Sequence, residues 1–536
     1  MTHKLLLSNP PRPKPPAGKG IAGITAHFAE IPLSAENHLV SNVFSNVLYT
    51  FVAALVNLWL TPFLISTIGI AAFGMIPLTN SIVAYAAIFT TAIYNSVSRF
   101  LAIELENKNS QNANKVFNTA MFSLAGIIFV LVPAVVIVAI YFPTLFHVPV
   151  GWEVDSAWLF ILTAATFFIT LIGSVFSISP FLQSQFVPIN TVNFVGLGVK
   201  FGLIVLVYSL LSKHLWYVGA ASLVGAAVTL AGFVLLWQRF TPQLRLNLHD
   251  FEKSQLAAMG SMAGWVTVNM AGAMLLSRAD LLIINNYFGA MITGGYASMV
   301  QLSMLLDYAV NAASIVLRPI LLTQYAHRDY DGIQQTAYIS MKILGLLMAV
   351  PVGLLCGFAS PLIRFWLGEE YTFLAPILIL VVFYQGLSLS ARPLLFVQNA
   401  YDRVKWPGII TLISGVGAIL LAIALCLWGR WGYAGVPLAI ALVMILKNGL
   451  YMPLYTAHLL NRPGWVFLPA FLPGVIYSIL VGAGAFLLDT YLPPQNWLGL
   501  AFYSLAITAF FAIAAWFTAL KPTEKQFLKN NLHFGW

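Results

Sequence analysis

The stretch from Ser41 to Ala102 constrains the fold of this chain more than any other. It consists of two long apolar runs that meet at the turn Ile68-Gly69-Ile70, and it contains no charged residue before Arg99. About 18 consecutive apolar residues suffice to cross the hydrocarbon core of a bilayer as a helix. The stretch is therefore predicted to form two membrane-spanning helices joined by a short turn.

The rest of the chain repeats this pattern, and its composition explains why. Charged residues make up 8% of the 536 residues and hydrophobic residues 60%, whereas soluble domains average about 25% charged residues. Such a chain cannot cover its surface with polar groups, so lipid must be its main solvent. About fourteen apolar runs are long enough to cross the bilayer, so the sequence predicts an all-α polytopic membrane protein with about fourteen transmembrane helices.

Lys and Arg are concentrated in the connectors on one side of these predicted spans. With the N-terminus inside, about 20 of them fall on the inner side and four on the outer side, namely Lys213, Arg278, Arg364 and Arg430. Because cytoplasmic loops are enriched in Lys and Arg, the bias predicts a multi-pass protein of the inner (plasma) membrane with both termini in the cytoplasm.

A polar connector divides the predicted spans into two groups of six. Two six-helix lobes joined by a cytoplasmic linker are a known transporter layout, with the transport pathway between the lobes. The predicted parts are a cytoplasmic tail with an interfacial helix at 1–38, an N-lobe at 39–238, the linker at 239–256, a C-lobe at 257–460, two extra helices at 461–520 and a cytoplasmic tail at 521–536.

The two groups of spans show signs of internal repetition. Gly69 and Arg99 precede Gly289 and Arg318 by about 220 residues, and the two arginines are predicted to mark the inner membrane boundary in both lobes. A repeat of an even number of spans keeps its orientation in the membrane. The lobes are therefore predicted to be related by a pseudo-two-fold axis along the membrane normal.

Motifs of catalysis and of cofactor binding are missing from the sequence. It has no HExxH, no P-loop and no G-x-S-x-G elbow, and its nine histidines are scattered. We therefore predict no enzymatic activity, no metal site and no cofactor. The basic residues form no single patch, so no nucleic-acid partner is predicted, and Cys356 and Cys426 are interpreted as buried inert thiols.

Charged residues inside the spans are the candidate functional residues. A charge at the centre of a helix costs about 2.5–3.5 kcal/mol on insertion scales, so it normally faces a cavity or a partner. Lys200 lies in mid-span and is predicted to face a cavity, whereas Lys342 is close enough to the surface to reach it partly. Asp307 is the deepest carboxylate, and it is either a structural partner of a basic residue or a proton- or sodium-sensitive group for ion coupling.

Four further residues complete the candidate set for a cargo cavity. Arg278 and Asp280 are two residues apart and do not share a helix face, so one is predicted to line the cavity and the other to pair elsewhere. Arg392 and Lys447 lie within a few turns of the inner surface, where they either anchor their helices or contact substrate.

Three segments carry a family resemblance. They are SNVFSNVLYT with LTPFLISTIGIAAFGM (41–50 and 60–75), SVSRFLAIELENKNSQNANKVFNTAMF (96–122) and SRADLLIINNYFGAMITGGYASM (277–299). They resemble the Ser/Asn-rich first helix, the Ile-Gly-x-x-x-Phe-Gly turn, the arginine closing the second helix and the seventh-to-eighth helix junction of one family. This family is the polysaccharide flippases of the multidrug/oligosaccharidyl-lipid/polysaccharide exporter superfamily.

This resemblance implies two six-helix lobes around a central cavity, two extra helices and alternating access by rocking of the lobes. The cargo would be an undecaprenyl-pyrophosphate-linked oligosaccharide, moved from the inner to the outer leaflet for polysaccharide assembly. Lys200, Lys342 and Arg278 would supply positive charge to its pyrophosphate in a low-dielectric cavity. The expected partners are the lipid-linked oligosaccharide, membrane lipids and polysaccharide polymerase machinery.

Three alternatives remain open on sequence grounds. A multidrug or cation antiporter of the same superfamily typically has twelve spans and a buried acidic residue in its first lobe, and the N-lobe spans here have no central Asp or Glu. A lipid II flippase would be richer in arginine in its first two helices, where this chain has Arg99 alone. A membrane-embedded polymerase or ligase of lipid-linked sugars would expose a sizeable outer loop with carboxylates.

Overall fold

The computed structural model describes residues 33–256, 264–314, 317–429 and 431–531, and every regular element in these ranges is a helix. The predicted N-terminal tail up to residue 32, the end of the C-terminal tail after residue 531 and Arg430 lie outside the described residues.

Six helical spans form the first half of the molecule. They are α1 (Leu33–Ile68), α2 (two segments, Ile70–Ala84 and Ala87–Glu106), α3 (Ser110–Ile140), α4 (Glu153–Leu182), α5 (Phe186–Leu210) and α6 (Trp216–Phe240). A short helix at Phe142–Leu145 lies between α3 and α4, and a 3₁₀ turn at Leu248–Asp250 lies in the linker.

The second half and the extra helices follow the linker. Helices α7 (264–288) and α8 (290–314) are continuous across a kink, and Leu317–Ala326 follows α8. The remaining spans are α9 (Tyr330–Gly357), α10 (Glu369–Ala400), α11 (Lys405–Leu427), α12 (Gly432–Leu459), α13 (Gly464–Tyr491) and α14 (Trp497–Thr518). A short helix at Ala359–Trp366 precedes α10, and α15 (Pro522–Asn531) ends the described chain.

The helix lengths confirm the predicted polytopic fold. In the described part of the chain, twelve helices are long and apolar enough to cross a membrane, and one of them runs for 48 residues, Thr267–Ser314. At 1.5 Å per residue such a helix is far longer than a bilayer core of about 30 Å. It breaks at Gly289, where φ is 79°, and its two parts count as two spans. With α2, whose two segments count as one further span, the total is fourteen spans.

Backbone geometry repeats between the two halves with the spacing that the sequence predicts. Positive φ angles occur at Gly69 (82°) and Gly289 (79°), and again at Lys108 (55°) and Arg328 (59°), with 220 residues between the members of each pair. Residues other than glycine rarely adopt positive φ, so the coincidence indicates a true structural repeat. The residues that follow the second pair also match, since Asn109 and Asp329 both cap the next helix.

Helix extends into both of the predicted terminal segments. The first helix begins at Leu33, within the segment 1–38 predicted to hold a tail and an interfacial helix, and is continuous with the first span. The predicted C-terminal tail 521–536 contains the helix α15. Both differences from the sequence prediction arise because polar helix ends carry no hydrophobic signal.

Packing is extensive within each half. In the first half α4 and α5 pack on α6, and in the second half α7–α8 packs on α11, while α9 packs on the extra helix α13. The main contact between the halves joins the first segment of α2 to α7–α8. We call the end of the bundle that carries the first and last described residues the termini end, and the end that carries Gly69 and Gly289 the far end.

Candidate functional site

The two halves are held together by hydrogen bonds in the far-end part of the bundle. The Thr61 hydroxyl donates to Oε1 of Gln301 at 2.6 Å, and the Trp366 indole N–H donates to the carbonyl oxygen of Leu58 at 3.0 Å. The first contact joins α1 to α8, and the second joins α1 to the short helix that precedes α10. Both lie within about a dozen residues of the far-end turns. They join the halves on one side of the bundle's midplane.

Asn285 of α7 forms a two-point contact with the loop between α3 and α4. Its Oδ1 accepts from the backbone N–H of His147 at 2.9 Å, and its Nδ2 donates to the His147 carbonyl oxygen at 3.2 Å. The Asn285 side chain is fully buried. We call this pairing the Asn285 clamp, and it is the kind of contact that must break if the halves separate at the far end.

Glycines allow α2 and α8 to touch backbone to backbone beside this clamp. A Cβ at Gly74 would lie 2.7 Å from the backbone nitrogen of Gly294, and a Cβ at Gly294 would collide with the carbonyl oxygen of Ile70. No other residue type fits such an approach without moving the helices. The far-end interface is therefore closely packed.

A charged cluster lies on α8 and α10 towards the termini end. Arg392 donates from Nη2 to Oδ1 of Asp307 at 2.6 Å, and Asn311 donates from Nδ2 to Oδ2 of Asp307 at 2.8 Å. Arg392 also donates to Asn311. The side chains of Asp307 and Arg392 remain 42% and 24% exposed, so the pair stays accessible to a ligand.

Lys200 occupies a separate pocket inside the first half. The pocket has a volume of about 320 Å³ and lies between α2, α4, α5 and α6. Its polar lining residues are Asn80, Thr163, Thr166, Thr170, Lys200 and Ser222. No carboxylate lines this pocket among the described residues, and no described side chain forms an ion pair with Lys200.

Asp280 and Arg278 point in different directions, as their two-residue spacing requires. Asp280 is buried and accepts from the Tyr296 hydroxyl at 2.8 Å and from the backbone N–H of Leu281 at 2.8 Å. Arg278 is half-buried. Both Arg278 and Asp280 lie within electrostatic range of Tyr85, between the two segments of α2, so both are near the interface between the halves and Arg278 is the less buried of the two.

Lys342 does not lie at the interface between the halves. Its ammonium group donates to both carboxylate oxygens of Glu524 at 2.9 and 2.7 Å, and the two side chains are only 7% and 4% exposed. The pair ties α9 to α15. Sequence reasoning missed Glu524 because it lies 182 residues later in a segment interpreted as a tail.

The other candidates lie apart from one another. Lys447 lies in a π-helical stretch, Ile445–Tyr451, where the neighbouring Asn448 donates to the Ser388 hydroxyl at 2.7 Å. Short π-helical segments frequently mark functional positions. Arg99 and Arg318 are exposed near the termini end. Asp307 and Arg392 are two sequence-predicted candidates that contact each other directly in the described part of the chain.

Solved structures of membrane transporters share this architecture. The chain is similar to an inward-closed structure of the lipid II flippase MurJ, with a TM-score of 0.63 and 14% identity over 87% of this chain and 97% of that one. It is also similar to an inward-facing multidrug resistance MATE transporter of the MOP superfamily, with a TM-score of 0.59 and 14% identity over 80% and 96% of the chains. The chain has the fold of the MOP-superfamily transporters.

Comparison of sequences also identifies a relative of this chain. An uncharacterized membrane protein, EpsK of Bacillus subtilis (strain 168), is 24% identical over 90% of this chain and 96% of its own length. No family model matches the chain. These similarities describe the fold, and the cargo has to be inferred from the site itself.

Proposed function

We propose that this protein is a transporter that flips a lipid-linked, undecaprenyl-pyrophosphate oligosaccharide across the inner membrane by alternating access, for polysaccharide assembly. The fold supports a transporter, and one of the similar structures is named a lipid II flippase. The hydrogen bonds between the halves lie towards the far end. With the termini end in the cytoplasm, this is the arrangement of a carrier closed towards the outside.

The observation that carries the proposal is an apolar groove beside the extra helices. The groove has a volume of about 550 Å³. Its lining residues include Ala309 of α8, Ile343 and Leu347 of α9, Tyr477 of α13, and Phe511 and Trp516 of α14. A water-soluble cargo has no use for such a surface, whereas a polyprenyl chain could stay in it while its polar head group enters the protein.

The groove lies at about the same depth in the bundle as the charged cluster. Ala309 borders the groove and Asp307 lies two residues earlier on α8, a separation of about 3 Å along the helix axis, but the two residues face different sides of the helix. Arg392 pairs with that aspartate and is partly exposed. An arginine fork suits the oxygens of a phosphate, so Arg392 is a candidate contact for a lipid phosphate at the depth of the groove.

The charges of the first half argue against a cation antiporter. The polar pocket there contains Lys200, and no carboxylate is among its described lining residues. A cationic drug or metal ion would be repelled by this pocket. The similar structures are transporters and flippases, and we propose no enzymatic activity.

Flipping can be tested in proteoliposomes that contain a fluorescent undecaprenyl-pyrophosphate oligosaccharide. We expect the wild type to move the label to the opposite leaflet, measured by chemical quenching from outside. Replacing Ala512 of the groove by Trp should slow the movement by about tenfold, since a bulky side chain would fill the space of the lipid chain. Ile513→Trp is the matched control, because Ile513 is 61% exposed on the same helix.

Two results would contradict the proposal. One is transport of a cationic dye by the wild type without movement of the lipid, which would favour the multidrug antiporter. The other is equal flipping by the Ala512→Trp and Ile513→Trp proteins, which would show that the groove is not part of the transport pathway.

A further inference from the structure

We propose that the pocket around Lys200 in the first half is a binding site for an oxyanion of the phosphate class. The anion is either the phosphate of a lipid head group or a free phosphate or pyrophosphate. The proposal does not depend on which cargo the protein moves, because it rests on the charge and shape of this pocket alone.

The first observation is a positive charge that the protein leaves without a counter-charge. Lys200 is the fifteenth of the 25 residues of α5, so it lies far from both ends of the span. No described side chain forms a hydrogen bond or ion pair with it. Such an uncompensated charge inside a span is costly and is normally kept for a ligand or a pathway.

The carboxylates on the helices around the pocket are committed elsewhere or lie at the ends of their helices. On α4 the nearest is Asp155, eight residues or about 12 Å along the helix from Thr163. Asp155 accepts from the backbone N–H of Leu215 at 2.8 Å and faces His214. On α2, Glu104 and Glu106 lie in the last turn at the termini end. None of them lines the pocket.

The second observation is a set of polar groups that converge on the same space. Thr163, Thr166 and Thr170 are spaced by three and four residues and therefore share one face of α4. The Thr166 and Thr170 hydroxyls donate to backbone carbonyls one turn earlier. Thr163 and Asn80 make no recorded side-chain hydrogen bond in the described part of the chain, so both can donate to an anion together with the three N–H groups of Lys200.

The third observation is that the position of Lys200 is fixed by close helix packing. Helices α5 and α6 meet at Gly196 and Gly225, where a Cβ at Gly225 would lie 2.8 Å from the Gly196 carbonyl oxygen and 3.0 Å from the Cβ of Lys200. This packing fixes the point from which the Lys200 side chain enters the pocket.

Binding can be measured on the full-length protein in nanodiscs, with radiolabelled inorganic pyrophosphate and inorganic phosphate as probes. We expect saturable binding to the wild type. Lys200→Met should weaken it by about tenfold or more, because a charge-assisted contact is lost, whereas Lys200→Arg should retain most of it. Lys213→Met is the matched control, since Lys213 is an exposed lysine of the same half that does not line the pocket.

A second measurement keeps the proposal testable if the Lys200→Met protein does not fold. Reductive methylation of wild-type lysines, read by mass spectrometry, should show that pyrophosphate protects Lys200 and leaves the labelling of Lys213 unchanged. Competition by undecaprenyl pyrophosphate in the nanodisc would assign the site to a lipid head group, and lack of competition would assign it to a free anion. Absence of saturable binding, or equal binding by wild type and Lys200→Met, would overturn the site, while the flipping assay judges the cargo separately.

Discussion

At the scale of single residues, the ion pair between Lys342 and Glu524 has the clearest energetic consequence. Both side chains are almost fully buried, and both carboxylate oxygens accept from the ammonium group. Removing one partner of a buried pair leaves the other charge uncompensated, which costs about 3–5 kcal/mol, whereas replacing both by apolar residues is often nearly neutral.

We therefore expect Glu524→Gln to lower the apparent melting temperature of the detergent-solubilised protein, measured by intrinsic fluorescence. The double variant Lys342→Met/Glu524→Leu should recover most of the loss. Asp331→Asn is a control, because Asp331 pairs with Arg462 on the surface and is 87% exposed. An unchanged melting temperature in Glu524→Gln would show that the pair does not hold α15 in place.

The same residues show what sequence could and could not provide. Depth within a span singled out Lys200, Lys342 and Asp307 as charges that need a partner or a cavity, because the cost of burying a charge rises with depth in the membrane. The partners were not predictable, since Arg392 is 85 residues from Asp307 and Glu524 is 182 residues from Lys342. Only the packing of the helices determines which of them meet.

At the scale of helices, the contact between α2 and α8 controls how the halves fit together. Gly74 and Gly294 let the two backbones touch, and neither position has room for a Cβ. Adding atoms to a close-packed interface typically costs about 1–3 kcal/mol. This penalty applies to the far-end closed arrangement and disappears if the halves separate there.

Gly294→Ala should therefore favour separation of the halves at the far end. We expect faster labelling by a membrane-impermeant maleimide of a cysteine introduced at Thr61, in a protein whose Cys356 and Cys426 have been replaced. Gly417→Ala is the control, because a Cβ there meets no atom within 4 Å. Equal labelling rates in the two variants would mean that this glycine contact does not set the conformation.

Helices also mark where sequence prediction reached its limit. Span number and the 220-residue repeat were predictable because hydrophobic length and repeated turns are local properties. The break of α2 between Ala84 and Ala87 was not predictable, because it lies within apolar sequence. The π-helical stretch of α12 was not predictable either, because Lys447 and Asn448 do not by themselves specify π-helical geometry. The Asn285 clamp carries no sequence signal, since an asparagine near a helix end is unremarkable without its partner loop.

At the scale of the whole molecule, the parts suggest one cycle. The halves are joined towards the far end, the apolar groove and the charged cluster lie at similar depth on different faces of α8, and the Lys200 pocket lies in the first half. For cargo to leave at the far end, the Thr61–Gln301 contact and the Asn285 clamp must break. Separation of the halves there is the central claim of the proposed transport mechanism.

A reversible cross-link between the halves tests this claim most directly. Cysteines at positions 61 and 301, in a background without Cys356 and Cys426, would be oxidised before the lipid-flipping assay. A cross-link between positions 388 and 448 is the control, because both lie in the second half and their side chains are already in contact. We predict that the 61–301 cross-link stops flipping, that reduction restores it, and that the control cross-link has little effect. Undiminished flipping by the fully cross-linked 61–301 protein would contradict alternating access through the far end.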